Sequence, residues 1–93
     1  MTERVSRTIE IVNKRGLHAR ASSKFALLAG DYSDCRVMVG REDQVVDGES
    51  IMDLMMLAAG LGSEITVSAE GARAEAALDA LCELVANRFG EGE

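Results

Sequence analysis

Ninety-three residues, 47% apolar and 28% charged with no proline, suit one globular domain built around a single core, and are too few for two. A formal charge of -6 argues against a nucleic-acid surface, which depends on clustered Lys and Arg. The longest uncharged run, the ten residues Leu54 to Ser63, is half of the roughly 20 apolar residues needed to span a bilayer, so no membrane insertion is expected. Met1 to Arg4 leads directly into a charged strand pattern without the apolar region of a secretory signal, and a cytoplasmic location is expected. Cys35 and Cys82 form no CxxC pattern and have a single histidine to join them, so they read as buried reduced thiols rather than metal ligands.

From Arg4 to Val12, Val5, Ile9 and Ile11 share one parity while Ser6, Thr8 and Glu10 share the other, the pattern of a strand with one buried face. Lys14, Arg15 and Gly16 form a polar turn. From His18 the period changes, with Ala21, Phe25 and Leu28 spaced by four and three, predicting a helix to about Ala29 that Gly30 stops. Cys35, Val37 and Val39 alternate with Arg36 and Met38, and a turn at Gly40 to Asp43 leads into a short strand at Gln44 to Val46. Ser50, three residues before Asp53, matches a capping-box start for a second helix over Ser50 to Ala59.

Gly60-Leu61-Gly62-Ser63 breaks that helix, and Ile65, Val67 and Ala69 alternate as a fourth strand closed by Gly71. From Ala72 onward Leu78, Leu81, Cys82, Val85 and Phe89 line one face of the longest helix. The tail from Gly90 to Glu93 lacks pattern and is expected to fray. The order strand, helix, strand, strand, helix, strand, helix predicts a four-stranded sheet with its helices packed on one face.

The chemistry concentrates in Gly16-Leu17-His18-Ala19-Arg20-Ala21-Ser22-Ser23, which contains the only histidine of the chain. Its ring stands where a strand pattern gives way to a helix start, with an arginine two residues on. Unpaired amides of a first helical turn, the helix dipole and a guanidinium all favour an anion there. An imidazole is partly unprotonated near neutral pH and is nucleophilic, so it can accept a phosphoryl group. Amides from Ala19 to Ser22 and Arg20 could then stabilise the equatorial oxygens. No second acid, base or metal cluster accompanies His18, which argues against an autonomous enzyme.

The run Gly16-Leu17-His18-Ala19-Arg20 resembles the active-site signature of the histidine-containing phosphocarrier family, HPr, of the bacterial phosphotransferase system. Gly48-Glu49-Ser50-Ile51-Met52 with Leu54, Met55 and Leu57 resembles the family's regulatory-serine helix, and Gly62 to Gly71 its last strand. The resemblance covers nearly all of residues 1–93 and implies one α+β domain, a βαββαβα open-faced sandwich with a four-stranded antiparallel sheet and three helices on one face. It implies that His18 takes a phosphoryl group on its δ nitrogen from phosphorylated enzyme I, itself charged by phosphoenolpyruvate, and hands it to an enzyme IIA domain. Arg20 would steady the phosphoryl oxygens, and backbone amides of Ala19, Ala21 and Ser22 would complete the cradle.

It further implies phosphorylation of Ser50 by an HPr kinase/phosphorylase, and docking of enzyme I and enzyme IIA on Ile51, Met52 and Met55. No metal or organic cofactor is implied, and a monomer is expected. The chain departs from the family pattern at Ala21, where proline is usual, at Asp53, where many relatives are basic, and at Leu27 and Gly30, which are often lysine. These changes lower the positive charge of the docking face and fit a nitrogen-related regulatory branch as well as a sugar-transport one. The competing reading is a phosphate-independent regulatory binding domain that uses the methionine-rich helix as its partner surface.

Overall fold

The structure is a computed structural model that describes residues 3–90. Along the chain it contains β1 (Glu3–Glu10), α1 (Ala19–Gly30), β2 (Cys35–Arg41), β3 (Gln44–Asp47), α2 (Ile51–Met56), β4 (Glu64–Gly71) and α3 (Ala74–Ala86), then a short 3-10 turn at Arg88–Gly90. The strands form one antiparallel sheet in the order β1-β4-β2-β3. This is the open-faced βαββαβα sandwich expected from the sequence.

Alternation sets the two faces of the sheet. Val5 lies opposite Ala69 and Ile9 opposite Ile65, while β2 places Val37 and Val39 opposite Ala69 and Val67. Those residues turn toward the helices and join the core with Phe25, Leu54, Leu78, Leu81 and Val85. On the open face Thr8 and Thr66, paired in register, share a hydroxyl hydrogen bond of 2.9 Å. Arg7 falls on the same parity as Val5 and Ile9. Its guanidinium reaches α3, where it donates to the Asp79 carboxylate at 2.8 Å. An inward charge on an edge strand discourages pairing with another chain. Burial pushes the nearby Cys82 thiol up, and the charge of Arg7 opposes that shift. Both cysteines are buried and free.

Several boundaries differ from the sequence-based expectation, four of them for identifiable physical reasons. Strand β1 stops at Glu10, because Ile11 instead exchanges hydrogen bonds with the loop before β4, donating to Ser63 at 2.8 Å and accepting from Gly62 at 2.9 Å. Gly30 is helical and does not terminate α1; the chain leaves the helix after it, with Asp31 donating to Leu28 and Tyr32 to Ala29, both at 3.1 Å. Helix α2 ends at Met56 rather than Ala59, because Ala58 takes a left-handed φ of 53° and so delivers the Ala59 carbonyl to Leu17.

Helix α3 ends at Ala86, and Arg88 and Phe89 adopt φ of 56° and 55°. A left-handed non-glycine residue costs about 1–2 kcal/mol, and burying a phenyl ring recovers roughly 1.5–3 kcal/mol. Phe89 is fully buried, as the heptad-like spacing required, but it reaches the core by a chain reversal and not by continued helix. Lys24 of α1 fastens the reversal by donating to the Phe89 carbonyl at 2.7 Å. Of the tail expected to fray, Glu91 to Glu93 lie outside the described residues.

Candidate phosphoryl-accepting site

The loop between β1 and α1 is built around Gly16. Its φ of 64° lies in the left-handed region, and a Cβ there would run into the Ala59 carbonyl oxygen and sit 2.7 Å from Gly60 Cα. Only glycine permits that approach. The contact lets the Leu17 amide donate to the Ala59 carbonyl at 2.9 Å while the Leu17 side chain is buried. The loop that follows α2 is therefore joined directly to the residue before His18.

His18 is the N-cap of α1, with extended backbone angles (φ -72°, ψ 179°) and no side-chain capping bond. Its ring is half-buried, whereas Ala19 and Arg20 are exposed. Stability would favour Ser, Thr, Asp or Asn at such a position, so the imidazole stands at the helix end for another reason. The first intrahelical bond runs from the Ser22 amide to the His18 carbonyl at 2.8 Å. The amides of Ala19, Arg20 and Ala21 precede that bond, and the dipole adds partial positive charge where they point. Ser22, expected in the cradle, closes the first turn with its amide, and its buried hydroxyl donates to the Leu17 carbonyl at 3.0 Å, which braces the loop. Ala21, where the family pattern has proline, is fully buried.

Ser50 is the N-cap of α2, and its Oγ accepts the Asp53 amide at 3.3 Å. The reciprocal half of the capping box is taken by a different group, since the Ser50 amide donates to the Asp47 carbonyl at 3.1 Å. Helix α2 contributes only Leu54 from its own span to the core. Ile51, Met52 and Met55 are exposed, Met52 to 71%. Met56 of the same methionine-rich helix and Leu61 beyond it, neither among the expected docking residues, are exposed to a similar degree and enlarge the apolar surface. Six residues give too short a helical stripe to have told buried from exposed methionines; the early stop of α2 at Met56 was the missing signal. Asn13 was also missed. It is buried in the turn, and its Nδ2 donates to the Gly16 carbonyl at 2.9 Å; its position three residues ahead of a turn glycine was the available clue.

Among the described residues, no group of three or more His, Cys, Asp or Glu is placed to hold a metal ion. No described helix is long and apolar enough to cross a membrane. A concavity of about 320 Å³ lies on the open sheet face, lined by residues that include Arg4, Ser6, Thr8, Thr66 and Ser68, and not by His18. The site geometry is thus a half-buried histidine at an exposed helix end.

Comparison with known proteins identifies the family. The family model for the PTS HPr component phosphorylation site matches residues 5–87. The chain is 55% identical over 86 residues to phosphocarrier protein HPr of Pseudomonas aeruginosa, covering 91% of this chain and 94% of that protein. It is 51% identical over 89 residues to phosphocarrier protein HPr of Cupriavidus necator, covering 96% and 99%. The crystal structure of HPr-C-His from Thermoanaerobacter tengcongensis superposes with a TM-score of 0.89 at 39% identity, covering 94% of this chain and 97% of that one. With the signature around His18, the sheet order and these relatives in agreement, the chain belongs to the HPr family of phosphotransferase-system phosphocarriers.

Proposed function

We propose that His18 accepts a phosphoryl group from phosphorylated enzyme I and passes it to an enzyme IIA domain. The observation that carries this reading is the imidazole at the N-cap of α1, ahead of amides that the helix itself does not use. In the first transfer the lone pair of the His18 δ nitrogen attacks phosphorus, the bond from phosphorus to enzyme I breaks, and enzyme I keeps that electron pair; in the second, a nucleophile of the enzyme IIA domain attacks the same phosphorus, the bond from phosphorus to the His18 δ nitrogen breaks, and the imidazole keeps the pair. The amides of Ala19 and Ala21 and the guanidinium of Arg20 receive the charge spread over the equatorial oxygens, which is where phosphoryl transfer is most sensitive to positioned donors. Ser22 supports the same step from beneath by holding the loop. The protein acts as a carrier in the cytoplasm, as a monomer, without metal or organic cofactor.

Docking falls to the exposed Ile51, Met52 and Met55, whose flexible side chains suit a surface that meets two partners in turn. Ser50 is a site for regulatory phosphorylation by an HPr kinase/phosphorylase. Its oxygen already faces the α2 amides, so a phosphate there leaves the fold intact and acts by repelling partners.

Incubation with phosphoenolpyruvate and the enzyme I of the same organism should place an acid-labile phosphate on the protein, and His18→Ala should abolish it. Failure of the unchanged protein to label would end the carrier reading. The exposure of Met52, Met56 and Leu61 also favours a second reading, a binding domain indifferent to phosphate. That reading requires partner affinity to be the same for the phosphorylated protein, the unphosphorylated protein and His18→Ala.

A further inference from the structure

Asn13 has 1% of its surface exposed and lies ahead of the site rather than in it. Its Nδ2 donates to the Gly16 carbonyl at 2.9 Å, and its own carbonyl accepts the Gly16 amide at 3.3 Å. The peptide between Gly16 and Leu17 is consequently held along both edges, because its N–H, on Leu17, donates to the Ala59 carbonyl at 2.9 Å. The next peptide, which carries the nitrogen of His18, is held through its oxygen by the Ser22 hydroxyl at 3.0 Å. Two consecutive peptide planes leading into His18 are therefore fixed by side chains and a neighbouring loop. The orientation of those planes sets the direction in which the His18 Cα–Cβ bond leaves the backbone.

A second observation concerns the other half of the same side chain. Asn13 Oδ1 is buried and accepts no hydrogen bond among the described residues. A buried acceptor without a donor lowers stability. An apolar side chain of similar size would avoid that cost, but it could not hold the Gly16 carbonyl. Residues that break a local rule of stability in this way concentrate where function requires them.

We propose that Asn13 is a positioning residue for phosphoryl transfer at His18, its amide fixing the Gly16–Leu17 peptide so that the imidazole meets the incoming phosphorus in line. This role rests on the carrier reading. Transfer depends on the line of approach, and small displacements of a reacting group reduce rates steeply. Docking is assigned to α2, which Asn13 does not touch through any described hydrogen bond, so the effect belongs to the chemical step and not to partner affinity.

The experiment is a rapid-quench measurement of phosphoryl transfer from phosphorylated enzyme I to the full chain. Wild type, Asn13→Ala and Val85→Ala are compared, the last being a core substitution in α3 that lowers stability away from the site. All are assayed well below their melting temperatures. Labelling of wild type establishes the carrier reading independently; if wild type is unlabelled, that reading fails and this one falls with it.

Given labelling, Asn13→Ala is expected to lower the maximal transfer rate about 10-fold with KM for the donor unchanged. Its His18 ring proton signals should be displaced at fixed pH, and Val85→Ala should match wild type in both respects. A transfer rate for Asn13→Ala within twofold of Val85→Ala, or a loss confined to KM, overturns the proposal. Should Asn13→Ala not fold, Asn13→Ser, which places a hydroxyl in the same pocket, is judged by the same rate and KM criteria.

Discussion

The two ends of the sheet are closed by the same device and put to opposite uses. At one end Gly71, with φ of 144°, ends β4 against the Asp34 carbonyl, and a Cβ there would sit 2.9 Å from Cys35 Cα. Around it the Arg73 guanidinium holds the Asp34 carboxylate through Nε at 3.1 Å and Nη2 at 2.9 Å, and lies 4.9 Å from the centre of the Tyr32 ring. The polar groups of that end are matched to one another. At the other end Gly16 makes an equally close approach to Ala59 and Gly60, yet what it supports is an exposed helix start and a surface of unburied methionines. The same kind of backbone contact closes a clamp in one place and leads into an exposed helix start in the other. Close packing by itself is therefore no guide to function; what distinguishes the ends is what surrounds the contact, an ion pair in one place and exposed apolar side chains in the other.

Paired substitutions offer the sharpest way to break that contrast. Gly16→Ala and Gly71→Ala each force a side chain into a neighbouring backbone and hold it at positive φ. Each should lose about 2–4 kcal/mol in urea unfolding, from strain and overpacking together. Phosphoryl acceptance at a temperature where both variants are folded should fall at least tenfold for Gly16→Ala and stay near wild type for Gly71→Ala. Equal loss from the two would mean that the ends are not functionally distinct.

A smaller effect is expected on the docking surface. Met52→Ser removes an exposed apolar contact, so it should raise KM for enzyme I about 5- to 10-fold, the effect of losing one moderate interface anchor. Unfolding free energy should move by no more than about 0.5 kcal/mol, because the side chain is 71% exposed. A fall in stability without a change in KM would return Met52 to the core.

The smallest effect belongs to the clamp. Hydrogen bonding from Arg73 holds the Asp34 carboxyl below its ordinary value of 3.8. A depressed carboxylate stabilises the fold above that ordinary value, and the contribution is lost as pH falls through the depressed one. Exposed ion pairs contribute little, so Asp34→Asn should lower Tm at neutral pH by only about 1–2 °C. The gap between variant and wild type should close as the pH is taken below 3.8. A gap that widens in acid would reverse the sign assigned to the pair.

What could be read from the sequence follows from how far each signal reaches along the chain. The strands were legible because Val5, Ile9, Val37, Val39, Ile65 and Val67 declare their face through neighbours two residues away. Ser50 was legible as a cap because its bond to Asp53 spans three residues. The true end of α2 was not, since the left-handed turn at Ala58 serves a contact between Ala59 and Leu17, far away in sequence. Ser22 was legible as part of a helix start, whereas the bond of its hydroxyl back to the Leu17 carbonyl was not. Arg7 and Asn13 escaped notice for a related reason: a charged residue inside an alternating strand and a polar residue in a turn look ordinary until their partners, Asp79 and Gly16, are brought to them by the fold.

The reversal that carries Phe89 back into the core has a practical meaning for anyone dissecting this chain. The stretch matched by the family model ends at residue 87, yet the Phe89 ring lies two residues farther on and is completely enclosed. A fragment cut at the family's edge would lack both that ring and the carbonyl to which Lys24 is tied. The hole left behind would open under the helix that begins at His18. The physical unit therefore outruns the stretch that the family model matches, and an expression boundary drawn at residue 87 would damage the part of the molecule it was meant to isolate.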